Sequence, residues 1–286
     1  MKHYKYAIFL LLISLFTSCA KEETLPEEPI VDLGGERWAN GPLDRFILQE
    51  FIKSYNIEIK YKWTPFEINY NRTLVPPQEK KVIPVLTAVR DIWMKPYEKV
   101  AGKEFLKRYS LSKFILVGSA EYQNNGTIIL GTAEGGTKVV LYVVNDFDFS
   151  KPETVSQMLH TIHHEFAHIL HQNIHYPQAW RGISTAWYTQ TWFNTPEATA
   201  NSQGFVSSYA KSAEQEDFVE TIAYLLVEGQ EKFDELVKAN VPVEDTFRLK
   251  ERIVVQYYKE VFNIDFRALQ REVRAAFTSL TKPTTK

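Results

Sequence analysis

His164, Glu165 and His168 fall in the run His164-Glu165-Phe166-Ala167-His168, past the middle of a chain of 286 residues. The pattern is H-E-x-x-H. On a helix, residues four apart project from one face, about one turn apart. Two imidazoles so placed reach a single Zn²⁺, with their nitrogens about 2.0–2.1 Å from it. The glutamate beside the first histidine can hydrogen-bond a metal-bound water and take its proton. A zinc hydrolase needs three protein ligands and one open position, so a third ligand must come from outside this run.

The motif requires a helix, and its surroundings supply one. Ser150 and Glu153 read as a capping box, with Pro152 in the first turn. Val155, Met158, Leu159, Ile162, Phe166, Ile169 and Leu170 form an apolar stripe of helical period. Pro177 stops the segment. Six of the chain's 7 histidines lie here: His160, His163, His164, His168, His171 and His175. Only the 164/168 pair has a glutamate directly after its first member. The other four read as hydrogen-bond donors behind the ligands, as charges near the helix C-terminus, or as solvated side chains. His171 and His175 share the ligand face. At 1.5 Å per residue they stand about 10 and 16 Å along the axis from His164, too far to complete its site.

The third ligand separates the zinc hydrolase classes. The extended metzincin pattern asks for Gly and His where this chain has His171 and Ile174, and for a methionine turn downstream. All three methionines precede the motif, so that class is excluded. A glutamate on a later helix is the other solution. The window 209–220 offers Glu214, Glu216 and Glu220, and Glu197 competes from just before it. Here the chain resembles the gluzincins related to anthrax lethal factor, in which H-E-x-x-H is followed by Tyr, six residues and Glu-x-Phe-x-Glu. Tyr209, Glu216, Phe218 and Glu220 match that spacing. The resemblance implies that Glu216 binds zinc and that Tyr209 assists at the oxyanion. With the run His163–Gln172, the chain also looks like the zinc-binding metallopeptidase lipoproteins that occur near polysaccharide-uptake systems of gut and oral bacteria. The residues themselves agree. Glu216 and Glu220 are four apart on one helix face. Glu216 can ligate while Glu220 accepts the other ring N–H of His164 or His168.

These residues need a scaffold. Helical spacing covers 42–55, and Ile57–Trp63 alternates as a half-buried strand. Helices follow over roughly 79–94 and from Pro96 to Tyr109. Phe114–Val117 reads as a buried strand. Thr127–Gly131 and Thr137–Val144 read as two strands joined at Gly135-Gly136, and the second is expected to be an edge that pairs with extended substrate. Residues 176–205 are irregular and hold three of the chain's 6 tryptophans, read mainly as packing for a long loop, with the lining of a substrate pocket or stacking on sugars as the alternative. Helices are expected over 213–228, 229–239, 244–262 and 264–280, the first capped by Ser212 with Gln215. The order fits an α+β fold: a mixed-sheet lobe over about 37–176 and a mostly helical lobe over 177–286, which the resemblance makes zincin-like.

The N-terminus reads as an address. Residues 1–18 form a signal segment ending in Leu15-Phe16-Thr17-Ser18 before Cys19, a lipobox-like site that would carry lipid. Residues 19–36, acidic and holding Pro26 and Pro29, read as a flexible tether. Cys19 is the lone cysteine, so neither disulfides nor cysteine ligands remain. Lys21-Glu22-Glu23 resembles a surface-export signal of outer-membrane lipoproteins. A net charge of −2 with no basic patch argues against nucleic acid. The combined expectation is a zinc metallopeptidase on a surface-exposed outer-membrane lipoprotein, acting on proteins or peptides. Its Zn²⁺ is held by His164, His168 and Glu216, with Glu165 as base and Tyr209 at the oxyanion. The rival is a glycan- or protein-capturing surface lipoprotein that keeps a metal without catalysis.

Overall fold

The structure, a computed structural model, describes residues 41–63, 65–69, 71–134 and 137–282. The expected signal segment, Cys19, the tether and the Gly135-Gly136 turn lie outside the described residues. Asn40–Lys286 form one compact unit.

The chain opens with α1 (Pro42–Ile47) and α2 (Lys53–Tyr55), joined through a π-helical turn at Leu48–Ile52. Ile47, Phe51 and Tyr55 form its buried stripe. After β1 (Glu58–Lys60) come α3 (Glu79–Ala88), a π-helical Val89–Met94, α4 (Lys95–Ala101) and α5 (Lys103–Tyr109). Gly102 turns the chain between α4 and α5 at φ 85°, where a side chain would be strained. Five short strands follow: β2 (Lys113–Leu116), β3 (Glu121–Tyr122), β4 (Ile128–Ile129), β5 (Gly131–Glu134) and β6 (Lys138–Leu141). Then α6 (Pro152–Asn173) carries the histidines. Past it the described residues hold only helices and turns. They are α7 (Glu197–Ser202), α8 (Glu214–Val227), α9 (Gly229–Ala239), α10 (Glu244–Phe262) and α11 (Phe266–Thr281). The fold is α+β, and the late helices fall where the apolar periodicity put them.

The main sheet runs β1-β2-β6-β5, the first three strands parallel and β5 antiparallel to β6. The expected strand pair at 127–131 and 137–144 is shifted: β5 is the partner of β6, while β4 pairs with β3 in a separate hairpin. The expected edge strand is also corrected. β6 is interior, and its hairpin partner β5 is the edge on that side. Val139, Val140 and Leu141 are at most 1% exposed, and a run buried on both faces belongs in the middle of a sheet. Phe114, Leu116, Val139 and Leu141 face the helices, while Ile115, Val117, Val140 and Tyr142 pack on Leu74 beneath. Trp93 joins sheet to motif helix, its ring edge-on to Phe114 at 5.8 Å and to Phe166 at 5.1 Å.

Neither expected capping box forms. Lys151 and Ala213 occupy the N-cap positions of α6 and α8, without a side-chain bond. Ser150 bonds Asp148 instead, and Asp148 and Thr154 bond each other to hold the entry to α6. The close approach of β5 to α6 replaces local capping as the feature that fixes the helix. A Cβ on Gly131 would stand 2.2 Å from the Thr161 Cγ2 and 3.5 Å from Glu165. Gly131→Ala should therefore cost about 1–3 kcal/mol through overpacking, lowering Tm by roughly 2–4 °C per kcal/mol. Adding Thr161→Ser, which removes the opposing methyl, should restore most of the loss. An unchanged Tm in the single variant would disprove the tight contact.

Candidate metal centre

Helix α6 packs chiefly against α8, and the functional side chains meet in that seam. The apolar stripe of α6 turns Leu159, Ile162, Phe166 and Leu170 into the core, leaving His160, His164 and His168 along the face toward α8. The first turns of α8 carry Glu216 and Glu220 one turn apart on the answering face. Three ligand atoms converge there. His164 Nε2 and His168 Nε2 are 3.1 Å apart, and Glu216 Oε2 is 3.2 Å from each. Ligands on a tetrahedral zinc at about 2.0–2.1 Å stand roughly 3.3 Å from one another. The spacing and the two-nitrogen, one-oxygen donor set fit zinc. Among the described residues no fourth His, Cys, Asp or Glu joins this group.

Each imidazole is oriented from behind. His164 Nδ1 is 2.8 Å from Glu220 Oε1, and His168 Nδ1 is 3.0 Å from His171 Nε2. With a proton on Nδ1, both rings turn an Nε2 lone pair to the same point. Glu220 also bonds His160 Nε2 at 2.7 Å through Oε1 and accepts from Ser207 Oγ at 2.5 Å through Oε2. The electrostatics without metal describe a centre short of positive charge. Burial works against protonated His164, but hydrogen bonds to Glu216 and Glu220 outweigh it and carry the imidazole up to about 10. Burial likewise opposes charge on Glu216, yet its bonds to His164 and His168 hold the carboxyl well below the usual range. Burial depresses His171 to about 4, so it is a neutral acceptor for His168.

Glu165 follows His164 and is 7% exposed. Burial raises its carboxyl pKa, against the pull of His164 and His168, and the Ala133 N–H of edge strand β5 donates to it. Tyr209 lies on a short 3-10 turn, with its ring 5.7 Å from that of His164 and its hydroxyl bonded to Glu216. A cleft of about 530 Å³ opens in front, lined by His160, His164, Glu165, Tyr209 and Glu220 on one side and by residues 127–132 on the other. All six expected centre residues are thus together. The competing glutamates are engaged elsewhere: Glu214 accepts from Tyr176, and Glu197 from the Ser208 N–H. His175 is exposed and packs against Tyr176. His163 packs in the core beside Tyr97, its ring nitrogens unpartnered. Sequence reading missed Ser207 and Ala133, which act through a hydroxyl and a backbone N–H that no spacing rule marks. His160 was legible only as one of several histidines at helical spacing.

Residues 36–267 match the family model described as "Putative zinc-binding metallo-peptidase". The chain belongs to that family. A crystal structure described as that of a putative zinc-binding metallo-peptidase from Bacteroides caccae is 30% identical, with 85% of this chain and 94% of that one covered, at a TM-score of 0.70. No curated protein sequence matches. The fold is therefore the zincin-like metallopeptidase fold, and zinc is the metal that the family and the donor set share. Glu216→Ala should leave almost no zinc on the protein after dialysis. His171→Ala should keep it but weaken binding about 10–100-fold, the usual cost of losing a ligand's hydrogen-bond partner. Chelator competition with measured zinc per protein checks both. Full zinc in Glu216→Ala would reverse the ligand assignment.

Proposed function

We propose that this metallopeptidase-family chain is an active zinc-dependent peptidase that opens peptide bonds with an activated water. The observation that carries the reading is the convergence of three donors on a point that faces the cleft, with Glu165 beside it. Structural zinc sites are closed by four ligands, so this arrangement favours the enzyme over a capture protein with an inert metal. When bound, zinc supplies a Lewis acid and lowers the pKa of water to about 7. Glu165 takes the proton from the attacking water and returns it to the leaving amine, a role suited to a carboxylate whose pKa burial has raised. Tyr209 donates its phenol hydrogen to the oxygen on which charge develops. Its own pKa is raised, chiefly by burial and then by Glu216, so the donor stays protonated.

The edge strand supports a peptide as substrate. Tyr142 N–H donates to the Leu130 carbonyl at 3.1 Å. With the register 131↔141 and 133↔139, alternation turns the backbone groups of Gly131 and Ala133 away from β6 and toward the cleft. An extended peptide can add there as a further strand through the remaining outward groups, the Ala133 N–H being held by Glu165, with its scissile bond brought to that carboxylate. Among the described residues no helix is long and apolar enough to cross a membrane. We place the protein on the outer membrane through lipid on Cys19, its domain exposed at the surface and working beside polysaccharide-uptake systems.

Glu165→Gln should retain zinc and lose peptidase activity about 10²–10⁴-fold, the loss expected for a general base. Tyr209→Phe should retain zinc and KM while kcat falls by about 2.7–4 kcal/mol of transition-state stabilisation. Peptide-release kinetics with zinc analysis decide both: full activity in the first variant refutes the base, and an unchanged kcat in the second makes Tyr209 a packing residue. Cys19→Ala should move the protein from the membrane to the soluble fraction. Persistence in the membrane fraction would exclude the lipid anchor.

A further inference from the structure

The aromatic stretch 176–205 divides in space. Trp180 is fully buried against Phe218 at 4.9 Å, and Trp187 is exposed. Trp192 alone of the three lines the cleft. Its ring meets that of Tyr209 edge-on at 4.9 Å, which places it one ring away from His164. Across the cleft stand Ile128 and Leu130 with the uncharged polar side chains of Gln123 and Thr127. No Lys, Arg or Asp is among the described lining residues. The ionisable ones, His160, His164, Glu165, Tyr209 and Glu220, all belong to the metal centre or its immediate partners. Glu220 is already saturated by His160, His164 and Ser207.

This lining discriminates by charge. A cationic side chain entering it would lose water, and among the described lining residues the one carboxylate not already bonded to histidines, Glu165, accepts from the Ala133 N–H and is committed to the attacking water. An acidic one would also face Glu165 and Glu220 at reduced dielectric. A large uncharged side chain loses little and covers apolar surface on Trp192, Ile128 and Leu130. We infer that Trp192 forms the wall of a subsite for a large uncharged side chain of the peptide, beside the bond to be cut. The inference rests on the peptidase reading and assigns its substrate class.

Peptides varied at the two residues flanking the cut, with Phe, Leu, Ala, Glu or Lys, test it. The zinc-loaded wild type should favour Phe and Leu over Glu and Lys by about tenfold or more in kcat/KM. Trp192→Ala should lower the ratio of Phe to Ala peptides about tenfold, through KM, and Trp192→Phe should keep most of it; side-chain pockets typically discriminate by roughly 10–200-fold. A fall of equal size for all peptides, seen in kcat, would make Trp192 a support for Tyr209 only and overturn the subsite. So would equal cutting of the Glu peptide. Calorimetric binding of the same peptides to Glu165→Gln separates the two readings. If the wild type cuts nothing while this variant still prefers Phe over Glu, the peptidase reading fails and the subsite stands. No preference in binding overturns the subsite.

Discussion

The centre depends on how closely α6 and α8 are held. His164 and Glu220, with side chains 7% and 6% exposed, meet at 2.8 Å across that seam. Groups so far from water cost several kcal/mol each unless a partner replaces the lost hydration. The tolerance is therefore narrow: a displacement that breaks one bond leaves a dry, uncompensated charge. The side chain between the two glutamates explains how the distance is kept. Phe218 is fully buried on the opposite face of α8, packed on Tyr176, Trp180, His171 and Tyr257. The apolar wedge sets the rotation of α8, and the carboxylates on either side of it follow.

A second buried pair fixes the same turn. Asp217, next to Glu216, is 0% exposed, and its carboxylate lies 2.7 Å from the Lys250 Nζ of α10. Burial pulls the lysine down and pushes the aspartate up, and each is opposed by the other. Lys250 also donates to the Gly204 carbonyl and sits 4.3 Å over the Phe205 ring, while Tyr188 donates to Asp217. The first turn of α8 is thereby tied to α10 and to the irregular segment leading to Tyr209. Breaking such a pair by removing one partner costs about 3–5 kcal/mol, so the irregular segment has a defined path despite its lack of regular elements.

Much of this was legible because it rests on period. The 3.6-residue stripe located α6, and the four-residue spacings put His164 with His168 and Glu216 with Glu220 on single faces. What escaped was set by three-dimensional competition. The capping signal at Ser150 was outcompeted by a bond to Asp148, whereas the Ser212 hydroxyl is buried without a partner and nothing in the structure explains why it does not cap. The strand at 137–144 looked like an edge because alternation does not tell which arm of a hairpin faces outward; burial on both faces of Val139–Leu141 decided it. The roles of Trp180 and Trp192 could not be separated in sequence, since both are aromatics in the same irregular stretch.

The unequal partners of the two histidines have a chemical consequence. His164 is backed by a carboxylate, Glu220, and His168 by a neutral imidazole, His171. Two carboxylates, Glu216 and Glu220, then balance the two charges of a bound zinc ion. Glu165 remains outside that balance, 7% exposed, with burial raising its pKa. A second carboxylate in place of His171 would make the centre net negative. It would weaken the metal's effect on the acidity of a bound water and push Glu165 further toward its protonated form. The neutral acceptor avoids both effects. It orients His168 without adding charge, and so leaves Glu165 able to ionise, as the proposed peptidase reaction requires.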